Sequence, residues 1–213
     1  MEGRARYRPW VLVLLGLLLV LAGAQWWRSQ EVGGGPRPEA GATPSDGDAS
    51  TVVAGRRLPE AEPAPRRPGD PVRLQIPDLD VDAHVVPILA PGGVLTPPAD
   101  PQELGWWADG ARPGDVRGSA LVTGHTVSTG GGALDDLEDL EEGDALRVRS
   151  DGSGTDYAVE SVRILAKGDL GERAEALFSQ DVPGRLVVVT CEDWNGTEYL
   201  SNVVVTATPT GAG

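Results

Sequence analysis

Hydrophobic residues fall into three regimes along this chain. From Val11 to Ala24 they form one uncharged run, preceded by Arg4, Arg6 and Arg8 and flanked by Trp10 on one side and Trp26 and Trp27 on the other. From Arg28 to Gly69 large apolar residues almost vanish, and Pro, Gly, Ala, Ser, Glu and Arg take over. From Asp70 onward short β-branched runs alternate with Gly, Pro and Asp turns. The third regime predicts strands at Val72–Ile76, Val81–Val86, Gly105–Ala108, Ala120–Gly124, Ala145–Arg149, Tyr157–Leu165, Leu186–Thr190 and Asn202–Ala207. Asp78-Leu-Asp80, Pro91-Gly-Gly93, Asp151-Gly-Ser-Gly154 and Pro183-Gly184 read as turns between them. Two short helices are expected, at Ala133–Leu140 and Glu172–Phe178. Eight short strands without helical crossovers favour a mainly β fold, an antiparallel barrel or sandwich.

The first two regimes set the domain plan. Basic residues before an apolar run place residues 1–9 in the cytoplasm, and tryptophans at both ends suit the two membrane interfaces. Trp10 to Trp27 is close to the lower limit of about 17 residues for a spanning helix, so residues 10–27 read as a transmembrane anchor. A cleaved signal peptide is the alternative, because Ala22-Gly-Ala24 fits a small-residue cleavage site. Both send the rest of the chain outside. Residues 28–69 bury too little apolar surface to offset chain entropy and read as a disordered Pro/Gly-rich stalk. Residues 70–213 form the folded domain.

Charge narrows the partners. From Asp70 onward the chain carries 9 Lys and Arg against 25 Asp and Glu, a net −16, a field that repels phosphate backbones and excludes nucleic acid. The acidic run Asp135–Glu142 reads as a solvated face; it lacks the glycine-punctuated spacing of a dedicated calcium loop. Neither a metal site nor a cofactor is expected.

Two side chains carry candidate chemistry. The single cysteine, Cys191, ends the run Arg185-Leu-Val-Val-Val-Thr-Cys191, and His125, one of two histidines, ends Ser119-Ala-Leu-Val-Thr-Gly-His125. Two strands that each deliver one reactive group at the C-terminal end give the layout a cysteine nucleophile with a histidine partner needs. An inert buried thiol and a hydrogen-bonded core histidine are the alternative. No second cysteine is present to resolve a disulfide, which argues against a redox role. The other histidine, His84, lies in an early strand away from every other motif and reads as structural.

Ile76-Pro77, Gly105-Trp-Trp107, Gly110-Ala-Arg-Pro-Gly-Asp115, Thr123-Gly-His125 and Val189-Thr-Cys191 together resemble a sortase, most like class F and close to class E. The resemblance spans about Val72 to Pro209. It implies an eight-stranded sortase-type barrel on the outer face of a Gram-positive-type membrane. It also implies cysteine transpeptidase activity toward surface proteins with a C-terminal sorting signal of the Leu-Pro-x-Thr-Gly type. Cys191 would carry the acyl group as a thioester, and His125 would act as general acid for the leaving amine. The acceptor would be a peptidoglycan precursor or another amine.

One departure matters. Sortases carry an arginine on the strand after the cysteine, aimed at the oxyanion, yet no Arg or Lys follows Cys191 here. Asn202 is the candidate replacement, since a side-chain amide can donate from the same strand; Arg112, Arg117 and Arg185 are the alternatives, and an inactive binding module is another. Asn202 bonding its own backbone in a turn is the bland reading of that residue. Thr123, Thr190, Trp107 and Trp194 are candidates for substrate contact. Structural hydroxyl bonding is the competing role for the two threonines, and one of Trp106 and Trp107 should face the core.

Elementary acid–base chemistry adds a constraint. With reference values near 8.5 for Cys and 6.5 for His, the thiolate–imidazolium pair is about a hundredfold rarer than the neutral pair. Glu192 and Asp193 would raise the thiol pKa further if aimed at the sulfur, but strand alternation turns Glu192 away from it.

Overall fold

The computed structural model describes residues 52–53 and 56–211. The expected cytoplasmic tail 1–9, the membrane span 10–27 and the stalk up to residue 51 lie outside the described residues. Among the described residues no helix is long and apolar enough to cross a membrane.

Eight strands close into a barrel: β1 (Pro71–Ile76), β2 (Val81–Ile88), β3 (Glu103–Trp107), β4 (Ser119–Thr123), β5 (Ala145–Ser150), β6 (Ser153–Ala166), β7 (Arg185–Trp194) and β8 (Tyr199–Pro209). The order around the barrel is β8-β6-β5-β1-β2-β3-β4-β7. All eight expected strands are present, most of them longer than the sequence suggested. The expectation of an all-antiparallel sheet needs correcting, because β2 pairs with β3, and β4 with β7, in parallel.

The barrel has one interior and one covered outer face. Leu74, Ile76, Val85, Trp106, Ala120, Val122, Leu186, Val188, Val203 and Val205 fill the interior. Leu121, Val187, Val189 and Val204 point the other way and pack against Leu165 and Leu177. Every residue of β4 is therefore buried, and β4 and β7 read as continuous apolar runs because both their faces are covered, as parallel strands usually are.

Leu177 belongs to α1 (Lys167–Leu177), which starts five residues earlier than expected and ends one earlier. Its propensity is poor: Gly168 and Gly171 lie within it and no side chain caps its start. Tertiary contacts hold it instead. The Arg185 guanidinium donates to the Ala176 and Leu177 carbonyls at 2.9 and 2.8 Å and to Ser119 Oγ at 2.9 Å, satisfying last-turn carbonyls that lack an intrahelical partner.

The helix expected at Ala133–Leu140 is only a 3₁₀ turn, Leu137–Asp139. Leu134, Leu137 and Leu140 are all buried in the main core; a spacing of three aligns them on a three-residue turn better than on an α-helix. Asp135 anchors the loop before it, accepting from the Val127 and Gly132 amides at 2.6 and 2.8 Å.

The folded unit also begins before residue 70. Leu89 N donates to Glu62 O at 2.8 Å, Ala64 N to Pro87 O at 3.0 Å, and Arg66 Nη2 to Val85 O at 2.9 Å. This strap leads into Asp70, which is 2% exposed. Its carboxylate accepts from Arg67 N at 2.6 Å and pairs with Arg112 at 3.2 Å. Backbone hydrogen bonding orders a stretch whose composition gives no sign of it.

Candidate active site

The parallel β4–β7 pair positions the two candidate groups. Thr123 is in register with Val189, and the contacts continue past the end of β4. Gly124 N donates to Val189 O at 3.3 Å, Thr190 Oγ1 lies 3.1 Å from Gly124 O, and Thr126 Oγ1 donates to Cys191 O at 2.6 Å. His125 and Cys191 each follow two residues after the Thr123–Val189 rung. Alternation along β7 puts Cys191 on the outer face with Val187 and Val189.

The β7–β8 hairpin supplies the third group. Its antiparallel register pairs Cys191 with Asn202, and Asn202 shares the outer face of β8 with Val204. Asn202 Nδ2 donates to Thr190 O at 3.1 Å and lies 3.8 Å from Cys191 Sγ. The amide therefore bonds across to the neighbouring strand, not back to its own backbone.

His125 is partly buried, and burial pushes its pKa below the ordinary histidine value against the opposing effect of a hydrogen bond to the Pro98 backbone. Among the described residues its Nε2 is buried with no hydrogen-bond partner.

The remaining candidates divide. Thr123 and Thr190 are both buried; Thr123 Oγ1 donates to Val189 O at 3.0 Å, and Thr190 is enclosed by Gly124 and Thr126. Their geometry fits structural bonding. Trp106 is 2% exposed and fills the core, with Nε1 donating to Ala111 O at 3.0 Å. Trp107 faces outward and packs on the cluster containing Val189. Trp194 is 44% exposed at the end of β7, its ring 4.9 Å from that of Tyr199.

The three arginines considered as oxyanion donors are engaged elsewhere. Arg112 pairs with Asp70, Arg117 with Asp181, and Arg185 holds the end of α1 from the start of β7. Cys191 is six residues further along that strand, about 20 Å away at strand rise. The side chains of Glu192 and Asp193 lie outside the described residues.

Two residues of the site escaped sequence reasoning. Thr126 bonds to Cys191 O, and the Tyr199 hydroxyl donates to Thr126 O at 2.7 Å. The one available signal was the position of Thr126 directly after His125. A polar cleft of about 270 Å³, lined by Asp80, Asp82, Gln102, Asp135 and Asp136 among others, includes neither His125, Cys191 nor Asn202. Among the described residues no group of His, Cys, Asp or Glu is arranged to hold a metal ion.

Known proteins resemble this one at the level of family and fold. The sortase-domain family model matches residues 74–210. Sortase C-1 from Actinomyces oris superposes with a TM-score of 0.51 at 22% identity, over 67% of this chain and 76% of that one. Sortase A from Corynebacterium diphtheriae gives 0.53 at 20% identity, over 70% of this chain and 63% of that one. A sortase D5 transpeptidase from Clostridium perfringens gives 0.52 at 16% identity, over 69% and 83%. No curated protein matches the sequence.

Proposed function

Because this chain belongs to the sortase family, we propose that it is a membrane-anchored, extracytoplasmic cysteine transpeptidase. It cleaves a Leu-Pro-x-Thr-Gly-type sorting signal on surface proteins and transfers the acyl group to a cell-wall amine. The observation that supports this reading is the β7–β8 register, which pairs Asn202 with Cys191 and brings its Nδ2 to 3.8 Å from Sγ, while His125 follows two residues after the Thr123–Val189 rung.

The chemistry runs in two halves. Cys191 Sγ attacks the threonine carbonyl carbon of the sorting signal as the thiol proton passes to His125, forming an S–C bond and a tetrahedral oxyanion. As the C–N bond to glycine breaks, His125 delivers that proton to the leaving amine. The incoming amine then attacks the thioester and its surplus proton passes to His125; as the S–C bond breaks, His125 returns the proton to the sulfur and the thiol is regenerated. The oxyanion sits two bonds from Sγ, and the Asn202 amide, its nitrogen 3.8 Å from that sulfur, is the donor to it. A neutral amide in place of a guanidinium gives a weaker oxyanion donor, so turnover is slow.

The domain plan follows the sequence: tail 1–9, anchor 10–27, and a stalk from residue 28 that joins the catalytic domain through the Glu62–Gly69 strap. The class F assignment rests on Gly105-Trp-Trp107 and Gly110–Asp115. Trp107, on the outer face that carries Val189, and Trp194, exposed at the end of β7, serve as peptide contacts.

A second reading is a sortase-fold module that binds wall peptides without turnover, favoured by the lack of any Arg or Lys after Cys191. The full chain in detergent, incubated with a panel of Leu-Pro-x-Thr-Gly peptides and an amine, decides between them by mass spectrometry. A Cys191 thioester and a ligated product, both absent in Cys191→Ala, are expected. Peptide binding without any adduct would select the second reading.

A further inference from the structure

β4 ends at Thr123, so His125 stands beyond the last regular rung of the sheet. Something other than the β ladder must fix its position against Cys191, and three contacts converge on the residue next to it. Thr126 Oγ1 is 2.6 Å from Cys191 O and 2.6 Å from Thr190 Oγ1, while the Thr126 carbonyl accepts from the Tyr199 hydroxyl at 2.7 Å.

Each hydroxyl has one proton, so Thr126 O–H donates to Cys191 O and Thr190 O–H donates to Gly124 O at 3.1 Å, and the 2.6 Å contact between the two hydroxyls holds a proton only when one of them gives up its carbonyl. Tyr199 completes the brace from β8, three residues before Asn202. Burial raises the Tyr199 pKa, so its hydroxyl keeps its proton as a donor. The Cys191 backbone is thereby held on both sides, with Asn202 on Thr190 O and Thr126 on Cys191 O.

We propose that Thr126, braced by Tyr199, is a positioning residue that locks the His125 loop to the Cys191 strand end. The inference rests on the reading of His125 and Cys191 as the reacting pair. A threonine that only stabilised the fold would change melting temperature; a positioning residue changes kcat and the behaviour of the thiol. Misplacement by about 1 Å can cost a hundredfold in rate; the Pro98 backbone holds the imidazole itself, and the Thr126 bonds tie the adjacent residue to the Cys191 strand end.

The test uses the full chain in detergent and the variants Thr126→Val, Thr126→Ser, Tyr199→Phe, His125→Ala and Cys191→Ala. In peptide–amine ligation, Thr126→Val should lower kcat about ten- to a hundredfold with KM and melting temperature nearly unchanged, and Thr126→Ser should restore most of the loss. Tyr199→Phe should lower kcat several-fold. The pH profile of Cys191 alkylation by iodoacetamide, which needs no turnover, should move in Thr126→Val toward that of His125→Ala. A Thr126→Val enzyme with unchanged kcat and an alkylation profile superimposable on wild type would overturn the proposal, as would a loss that serine does not repair. If the valine variant fails to fold, an unchanged Tyr199→Phe enzyme overturns it instead. Full ligation by Cys191→Ala would overturn the site reading itself, an outcome distinct from failure of the Thr126 variants alone.

Discussion

Asn202 lies directly across the β7–β8 ladder from Cys191, its Nδ2 3.8 Å from Sγ and 3.1 Å from the Thr190 carbonyl oxygen. That amide steadies the strand bearing the thiol, and in the proposed mechanism it is the oxyanion donor. Asn202→Ala should slow ligation by about ten- to a thousandfold, the range for loss of an oxyanion donor. Asn202→Asp should be at least as slow, since it removes the donor and sets a negative charge beside the sulfur. Steady-state rates decide; an unchanged Asn202→Ala rate returns the role to an arginine.

Cys191→Ala and His125→Ala should each abolish turnover while leaving the barrel folded. Neither side chain belongs to the buried interior cluster, so circular dichroism melts should stay close to wild type. Full activity in either variant would refute the assignment of the pair.

Acid should destabilise the domain through His125. Its folded pKa is lowered by burial, so near pH 6 the unfolded chain binds more protons than the folded one, and stability rises with pH in that window. The contribution is fully present above the unfolded value of about 6.5 and is lost as pH falls through the folded value. His125→Gln should flatten the dependence of melting temperature on pH between about 5 and 7. A slope identical to wild type would show that His125 titrates normally.

Gly105→Ala should weaken both fold and site. A Cβ there would collide with Ile88 Cδ1 and press on Pro98 Cδ at 3.2 Å, and the Pro98 backbone is bonded to His125. Overpacking of this kind costs about 1–3 kcal/mol, readable as a lower denaturant midpoint. Ligation should fall further than the lost stability accounts for, because the displaced proline moves the imidazole.

Much of this architecture is legible in the residues. Short β-branched runs and turn punctuation place all eight strands, and the matched endings Thr-Gly-His125 and Val-Thr-Cys191 give the candidate pair. Neighbour identity is not legible: an apolar run such as Leu186–Thr190 shows that both faces are buried, but not that its partner runs parallel. The Leu134, Leu137, Leu140 spacing suits either helix type, and only the tight packing of that turn selects 3₁₀. The strap from Glu62 forms through backbone hydrogen bonds, to which Pro-rich composition is blind. Thr126 and Tyr199 are 73 residues apart and meet only in the closed barrel.

The register of β7 also makes the site intolerant of length changes. One residue inserted between Val189 and Cys191 would turn the thiol from the outer face to the barrel interior. The polypeptide would keep every candidate side chain and a largely intact core, yet the thiol and the Asn202 amide would lie on opposite sides of one sheet. Substitutions there can be graded in their effect, but a single-codon insertion is all-or-none.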